Sequence, residues 1–418
     1  MKDIFITKLT LEKVRNLDCI EIPLSEKNRK HLIFTGKNGS GKTTILKGLS
    51  IYLNGIATTD DLSRAQKNLL IDKRNFESAK ERKKPQVELL EIEKRIQHYE
   101  QRIWDIKRGF DVEMSCPQEE VHFSFEAGEF VIAYYKAERI FTAEAPKHVE
   151  KVALKENYSI YENPRTDFVK YLLDLKMTQA LSQTSKKREK ADGIQQWFDN
   201  FEALLQDLFE NKELRLEFDE ETFRFTIQEP EKEPYDFNTL SSGYAAALDI
   251  VVDLMIRMEK QTERKFQYNM PGIVLIDEIE THLHLELQKK ILRLLTTMFP
   301  KIQFIVTTHS PFILNSLDQA VIYDLEQHLL VENGLADIPY DGIVEGYFGA
   351  DVLSDKLKEK FGRYQTLVQK ESLTDDDFEE ITNLEMFLDE IPDYLALRLT
   401  TEYQRLKLEL SKREDLYD

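Results

Sequence analysis

The segment Gly36-Lys-Asn38-Gly39-Ser40-Gly41-Lys42-Thr43 constrains this chain more than any other. It matches G-x-x-x-x-G-K-[ST] at every fixed position, follows the apolar stretch His31–Thr35 and precedes the helical pattern Ile45-Leu-Lys-Gly-Leu49. A loop of this kind is meaningful only between a strand and a helix, and that is its context here, so the fold is expected to be α/β. Three glycines let successive backbone N–H groups curl around phosphate oxygens, and the following helix aims its positive end at the same charge. The expected ligand is a nucleoside triphosphate. Gly36, Asn38, Gly39, Ser40, Gly41, Lys42, Thr43 and Thr44 would form its cradle. Lys42 would reach the β- and γ-phosphates, and the Thr43 hydroxyl would bind Mg2+.

Composition narrows the setting. A chain of 418 residues with 41% apolar and 32% charged residues can bury one large core or several smaller ones. It has no run of 18 apolar residues, so no membrane span is expected. Cys19 and Cys116 are the only cysteines, which gives neither a disulfide framework nor a zinc spacing. The strand-like start, broken by charge, is not that of a signal peptide, and the expected location is the cytoplasm. A net charge of −19 argues against the whole surface binding nucleic acid, because phosphates would be repelled.

That charge is unevenly spread. Leu62–Arg108 carries 13 Lys+Arg against 8 Asp+Glu, a net of +5, which leaves −24 for the remainder. Within it, Leu89, Ile92, Ile96, Tyr99, Ile103 and Ile106 form a heptad stripe, and Leu62, Ala65, Leu69 and Phe76 form a weaker one. Lys83-Lys84-Pro85 separates the halves at a point where proline would break a continuous helix. The pattern predicts an antiparallel coiled-coil hairpin over 61–109, with arms of about 20 residues, roughly 30 Å long. Its basic tip, Lys80–Lys84, is a candidate contact for nucleic acid or an acidic partner.

Elsewhere, Ile4–Ile6, Leu9–Leu11, Ile20–Ile22 and Leu32–Phe34 read as strands. Asp111–Ser115, Val121–Phe125 and Phe130–Tyr135 read as a further antiparallel sheet. Helices are expected over 164–183 and 194–211 with Lys186–Lys190 as a loop between them, then a hairpin over 214–227. Beyond residue 339 the apolar spacing is helical, over Val352–Gln369 and Asp376–Leu410. Asp375-Asp376-Asp377 there reads as a helical first turn rather than a metal site.

Three further segments carry chemistry. Ile273-Val-Leu-Ile276 ends in Asp277-Glu278, and a buried parallel strand would deliver both acids to the sheet edge beside the phosphate loop. Asp277 would hold Mg2+, and Glu278 would orient or deprotonate the attacking water. A second apolar strand, Ile302–Val306, leads into Thr307-Thr308-His309-Ser310, where His309 is a candidate γ-phosphate contact. Leu240-Ser241-Ser242-Gly243 opens a helix whose N-terminus and hydroxyls suit a phosphate.

These four elements, in this order, resemble the ATP-binding-cassette (ABC) ATPases over residues 1–325. The phosphate-loop sequence Phe34–Leu46, the run Asp277–His284, Thr308–Pro311 and the coiled-coil insertion are similar to the soluble RecF/SMC branch. The resemblance implies an ATPase head with a parallel sheet, an antiparallel β subdomain and a helical lobe. Its parts would be 1–60 with the phosphate loop, the 61–109 insertion, 110–338 completing the head, and a helical region over 339–418. It implies a homodimer, or a higher homo-oligomer, sandwiching ATP. Lys42, Thr43, Asp277, Glu278 and His309 would come from one subunit, Ser241 and Gly243 from the other. Arg15-Asn16 resembles a turn that approaches the nucleotide. Tyr244, Ser242 and His284 depart from the usual residues, and no glutamine occupies the loop linking Mg2+ to the lobe, where Glu138 or Arg139 stands instead.

The C-terminal region is too short for a Toprim nuclease, and no H-N-H arrangement appears, so no nuclease site is expected in this chain. Two readings follow. One is an anti-phage defence ATPase, resembling the PtuA type of Septu systems and the AriA type, that controls a separate HNH or Toprim nuclease or a toxin. The alternative is a RecF-like repair ATPase gripping DNA directly.

Overall fold

Burial alternates along the first strand, β1 (Ile6–Val14), which hides Leu9 and Leu11 and pairs antiparallel with β2 (Leu17–Pro23). The computed structural model describes residues 3–412 apart from 15–16, 140, 143–147, 339–341, 345–354, 371 and 391–396. Arg15-Asn16 therefore lies outside the described residues. The chain divides into two compact units, Met1–Asp337 and Ile338–Asp418.

In the first unit, β3 (His31–Thr35) feeds the glycine loop and α1 (Lys42–Thr58). The insertion follows as α2 (Asp61–Glu81) and α3 (Gln86–Lys107). Then come β4 (Phe110–Met114), α4 (Gln118–Glu126) and β5 (Val131–Tyr135). The helical lobe contains α5 (Phe168–Thr184), α6 (Arg188–Leu208) and the hairpin of β6 (Arg215–Asp219) with β7 (Arg224–Gln228). Next is α7 (Ser242–Thr262), then β8 (Gly272–Ile276), α8 (Leu285–Met298), β9 (Ile302–Thr307), α9 (Pro311–Leu314), β10 (Ala320–Asp324) and β11 (Leu329–Val331).

The central sheet has the order β11-β10-β3-β9-β8-β5 and is parallel except at its β11 edge. Strands β8, β9 and β10 are buried along their whole length, and β3 from Leu32 onward, as expected of a parallel sheet covered on both faces. The parallel pairing brings the C-terminal ends of β3, β9 and β8 to one edge. A smaller sheet, β2-β1-β4, is antiparallel. Helix α1 lies in the core shared by the two sheets through Ile45, Leu46, Leu49, Tyr52 and Leu53. Gly48 allows this approach: a Cβ there would come within 2.3 Å of the Phe110 ring.

The hairpin forms as its stripes predict. All six residues of the α3 stripe are half-buried and no α3 residue is fully buried, which is what one facing helix can achieve. Arg95 holds Asp72 through two hydrogen bonds of 3.0 and 3.1 Å, and Lys73 pairs with Glu100 across the arms. The tip residues Lys80–Lys84 are exposed.

Several expectations are corrected. Val121–Phe125 is helix, not strand: Val121 and Phe125 are buried one turn apart, while Phe123 is 68% exposed. The alternation that suggested a strand came from a short amphipathic helix. β5 joins the parallel sheet beside β8 instead of pairing with β4. Helix α6 starts at Arg188, so the basic run belongs mostly to its first turn, and it ends at Leu208. The second unit contains helices Asp355–Val368, Asp375–Asp389 and Leu397–Leu410 around Tyr364, Leu367, Ile381, Leu384, Tyr403 and Leu406. Thr374 and Asp377 form a capping box, so those acids do open a helix.

Candidate nucleotide site

Gly36, Gly39 and Gly41 all adopt positive φ, at 130°, 87° and 102°, which only glycine does without strain. They bend the loop so that the buried Lys42 side chain folds back into it, with Nζ donating to the Gly36 carbonyl at 2.7 Å and the Lys37 carbonyl at 3.1 Å. Burial holds the Lys42 pKa below its ordinary value, against the pull of Glu278, Glu280 and Asp277. Thr44 is half-buried in the first turn of α1, Asn38 is exposed, and the Ser40 hydroxyl is buried without a hydrogen-bond partner.

Two strands away in the sheet, Asp277 follows directly on β8. Thr43 Oγ1 donates to Asp277 Oδ1 at 3.2 Å. Residues 234 positions apart thus place a hydroxyl and a carboxylate oxygen side by side. These are hard oxygen donors of the kind Mg2+ takes alongside phosphate oxygens. Thr307, at the end of the intervening β9, donates to the same Oδ1 at 2.8 Å and accepts the Glu278 N–H at 2.7 Å. It ties the two acids together, and its role was not apparent in the sequence.

Glu278 has φ 44°, a left-handed conformation that costs a residue other than glycine about 1–2 kcal/mol. Its carboxylate accepts the Thr281 hydroxyl at 3.3 Å. Its neighbour Glu280, also overlooked in the sequence, accepts the His309 backbone N–H at 2.5 Å and so fixes the loop after β9. The His309 Nε2 atom and Glu280 Oε2 are both buried without hydrogen-bond partners. Burial, and then the nearby Lys42 charge, push the His309 pKa below its ordinary value, so the ring is neutral at pH 7. A neutral imidazole with an unsatisfied nitrogen can meet either an anionic oxygen or a water.

Ser241 and Gly243 sit at the start of α7. Ser241 caps α7 with its backbone only; its side chain is exposed and makes no capping bond. Gly243 packs on the turn after β8, where a Cβ would approach the His282 carbonyl to 2.9 Å. Among the described residues, no hydrogen bond joins Ser241 or Gly243 to Lys42, Thr43 or Thr44 in the same chain. The departures at Tyr244 and His284 have a packing reason: the Tyr244 ring stacks on Phe209 at 4.1 Å and meets His284 edge-on at 5.4 Å. Of the two residues expected to replace the missing glutamine, Glu138 is exposed and Arg139 is buried. The Arg139 guanidinium donates to the backbone carbonyls of Asp277 and Glu278 rather than to the Thr43–Asp277 side-chain pair.

A glycine loop on a central parallel strand, with the acidic strand two positions along and a histidine loop between them, is the arrangement of a phosphate-loop nucleotide-binding fold. In the sequence of its loop and acidic strand end it resembles the RecF/SMC-like branch. A family model described as "AAA domain, putative AbiEii toxin, Type IV TA system" matches residues 119–315. The Septu protein PtuA of Bacillus mycoides is 24% identical over 97% of this chain and 53% of its own length. The Retron Ec83 probable ATPase of Escherichia coli is 32% identical over 33% of this chain and 26% of its own. A solved SMC head bound to the C-terminal winged-helix domain of ScpA covers 80% of this chain and 100% of itself, at 15% identity and TM-score 0.38. The chain spans about half the length of this PtuA and less of the retron ATPase. No helix among the described residues is long and apolar enough to cross a membrane.

Proposed function

We propose that this chain binds ATP with Mg2+ in the Gly36–Thr44 cradle and hydrolyses it in sites shared between two copies. The 3.2 Å approach of Thr43 Oγ1 to Asp277 Oδ1 carries this reading, because it joins the phosphate loop to the acidic strand end. Lys42 would bind and orient the β- and γ-phosphates, while Thr43 and Asp277 would hold Mg2+, which neutralises phosphate charge when bound. Glu278 would orient the attacking water and take its proton. His309, neutral and fixed through Glu280, would contact the γ-phosphate.

The exposed Ser241 hydroxyl and the free α7 N-terminus suit the γ-phosphate bound by a second copy. Closure of the dimer would then depend on ATP, and hydrolysis would remove the bridge. Similarity to PtuA over 97% of the chain, and to a retron ATPase over 33% of it, supports a place in an anti-phage defence module, with cleavage supplied by a separate HNH or Toprim nuclease or a toxin.

The test is Glu278→Gln. It is expected to retain ATP and accumulate as a closed dimer in light scattering, with turnover lowered at least about 100-fold. Hydrolysis at the wild-type rate would remove Glu278 from the mechanism. Calorimetry of Lys42→Ala should show ATP affinity lost; unchanged affinity would overturn the cradle itself. A second reading, direct gripping of DNA, draws on the exposed basic tip Lys80–Lys84. Neutralising those four cations should then abolish DNA binding, whereas the defence reading expects the partner nuclease to copurify with the chain regardless.

A further inference from the structure

Arg139 is buried directly beneath the acidic turn. Its Nη1 donates to the Asp277 carbonyl at 2.8 Å and the Lys136 carbonyl at 3.0 Å. Its Nη2 donates to the Glu278 carbonyl at 3.0 Å and the Ile279 carbonyl at 3.1 Å. One planar guanidinium thus engages three successive carbonyls of the turn carrying Glu278, at the point where φ becomes positive. A backbone in that region persists only where its surroundings over-determine it. The Glu278 backbone is also held by the Thr307 hydroxyl on its N–H and the Thr281 N–H on its carbonyl, at 2.9 Å, and its carboxylate by the Thr281 hydroxyl.

Arg139 also faces the helical lobe. A cavity of about 290 Å³ beside it is lined by Tyr134, Lys136, Glu138, Arg165 and Asp249. Asp249 is a fully buried residue of α7, paired with Arg165. Burial holds the Arg139 pKa below its ordinary value, against the pull of Asp249 and then of Glu280, Asp277 and Glu278, and burial likewise pushes the Asp249 pKa up to about 7. Asp249 lies two turns into the helix whose N-terminus presents Ser241 and Gly243.

We infer that Arg139 is a positioning residue that holds the left-handed Glu278 backbone in its hydrolytic geometry, and that Asp249 links this clamp to α7. A shift of α7 on engaging a second copy would act on Asp249, then on the guanidinium, and finally on the turn. The inference rests on the reading of Glu278 as the residue that orients water. Lysine cannot reproduce the clamp, because a point charge cannot satisfy three carbonyls fixed in a fork.

The test is single-turnover ATP hydrolysis by the full chain, with ATP affinity measured separately. Arg139→Lys is expected to lower the rate roughly 10- to 100-fold, the scale of an ångström-sized misplacement, with ATP affinity changed less than about threefold. Asp249→Asn should lower it several-fold with the same split, which keeps the test open if Arg139→Lys fails to fold. In a Glu278→Gln background neither change should lower the rate further, since both act through Glu278. Wild-type rates in both variants, equal losses of rate and affinity, or multiplicative losses in the double variants would each overturn the inference. A normal rate in Glu278→Gln alone would instead remove the reading beneath it.

Discussion

His31 shows how one side chain couples this fold to pH. Its Nδ1 accepts the Phe304 N–H at 3.1 Å, joining β3 to β9, and burial pushes its pKa down from 6.5 to about 4. The folded state therefore prefers the neutral ring. Its contribution is fully present above pH 6.5 and is lost as the pH falls toward about 4. The stability gap between the wild type and His31→Asn, measured by urea unfolding, should narrow across that window. A constant gap would show that the ring does not titrate with folding. Gly48 offers a second test. Alanine normally stabilises a helix interior by about 1 kcal/mol, but here its Cβ would strike Phe110, so Gly48→Ala should destabilise by about 1–3 kcal/mol. At this scale the glycine loop, Asp277, Glu278 and His309 were legible because their chemistry requires particular residues at fixed spacings. The roles of Thr307, Glu280 and Arg139 were not, since each holds the turn through groups that only the fold brings within reach.

Among elements, Gln303 on β9 shows how the two sheets are joined. It is fully buried, accepts the Ile6 N–H at 2.7 Å and donates to the Ile6 and Lys30 carbonyls at 3.0 and 2.7 Å. Gln303→Leu would strand three buried backbone groups and is expected to cost about 2–4 kcal/mol in chemical denaturation. A smaller loss would mean that the β1 end re-pairs elsewhere. The long elements were readable from period alone, as the half-buried stripe of α3 shows. Helix α4 misled because a nine-residue segment is too short for period 2 and period 3.6 to separate. β5 was recognised as a strand, but its neighbour was not, because pairing β5 with β8 joins segments some 140 residues apart. No local pattern encodes such a partner.

For the whole molecule, the proposal that Ser241 serves the site of a second copy makes a prediction about mixtures. Lys42→Ala and Ser241→Arg chains should each be inactive alone, but together they should regain part of the wild-type ATPase rate through one intact composite site. No recovery on mixing would confine the site to a single chain. The strand order has a further consequence, for biosynthesis. β3, which launches the nucleotide loop, is flanked by β9 and β10, and both are encoded some 270–290 residues later. At typical elongation rates of about 5–20 residues per second, that apolar strand emerges with both edges bare and waits for roughly 15–60 s. The ribosome therefore makes the front half of the proposed nucleotide site long before the back half exists. Nascent chains stopped before Asp324 should depend on chaperones to stay in solution.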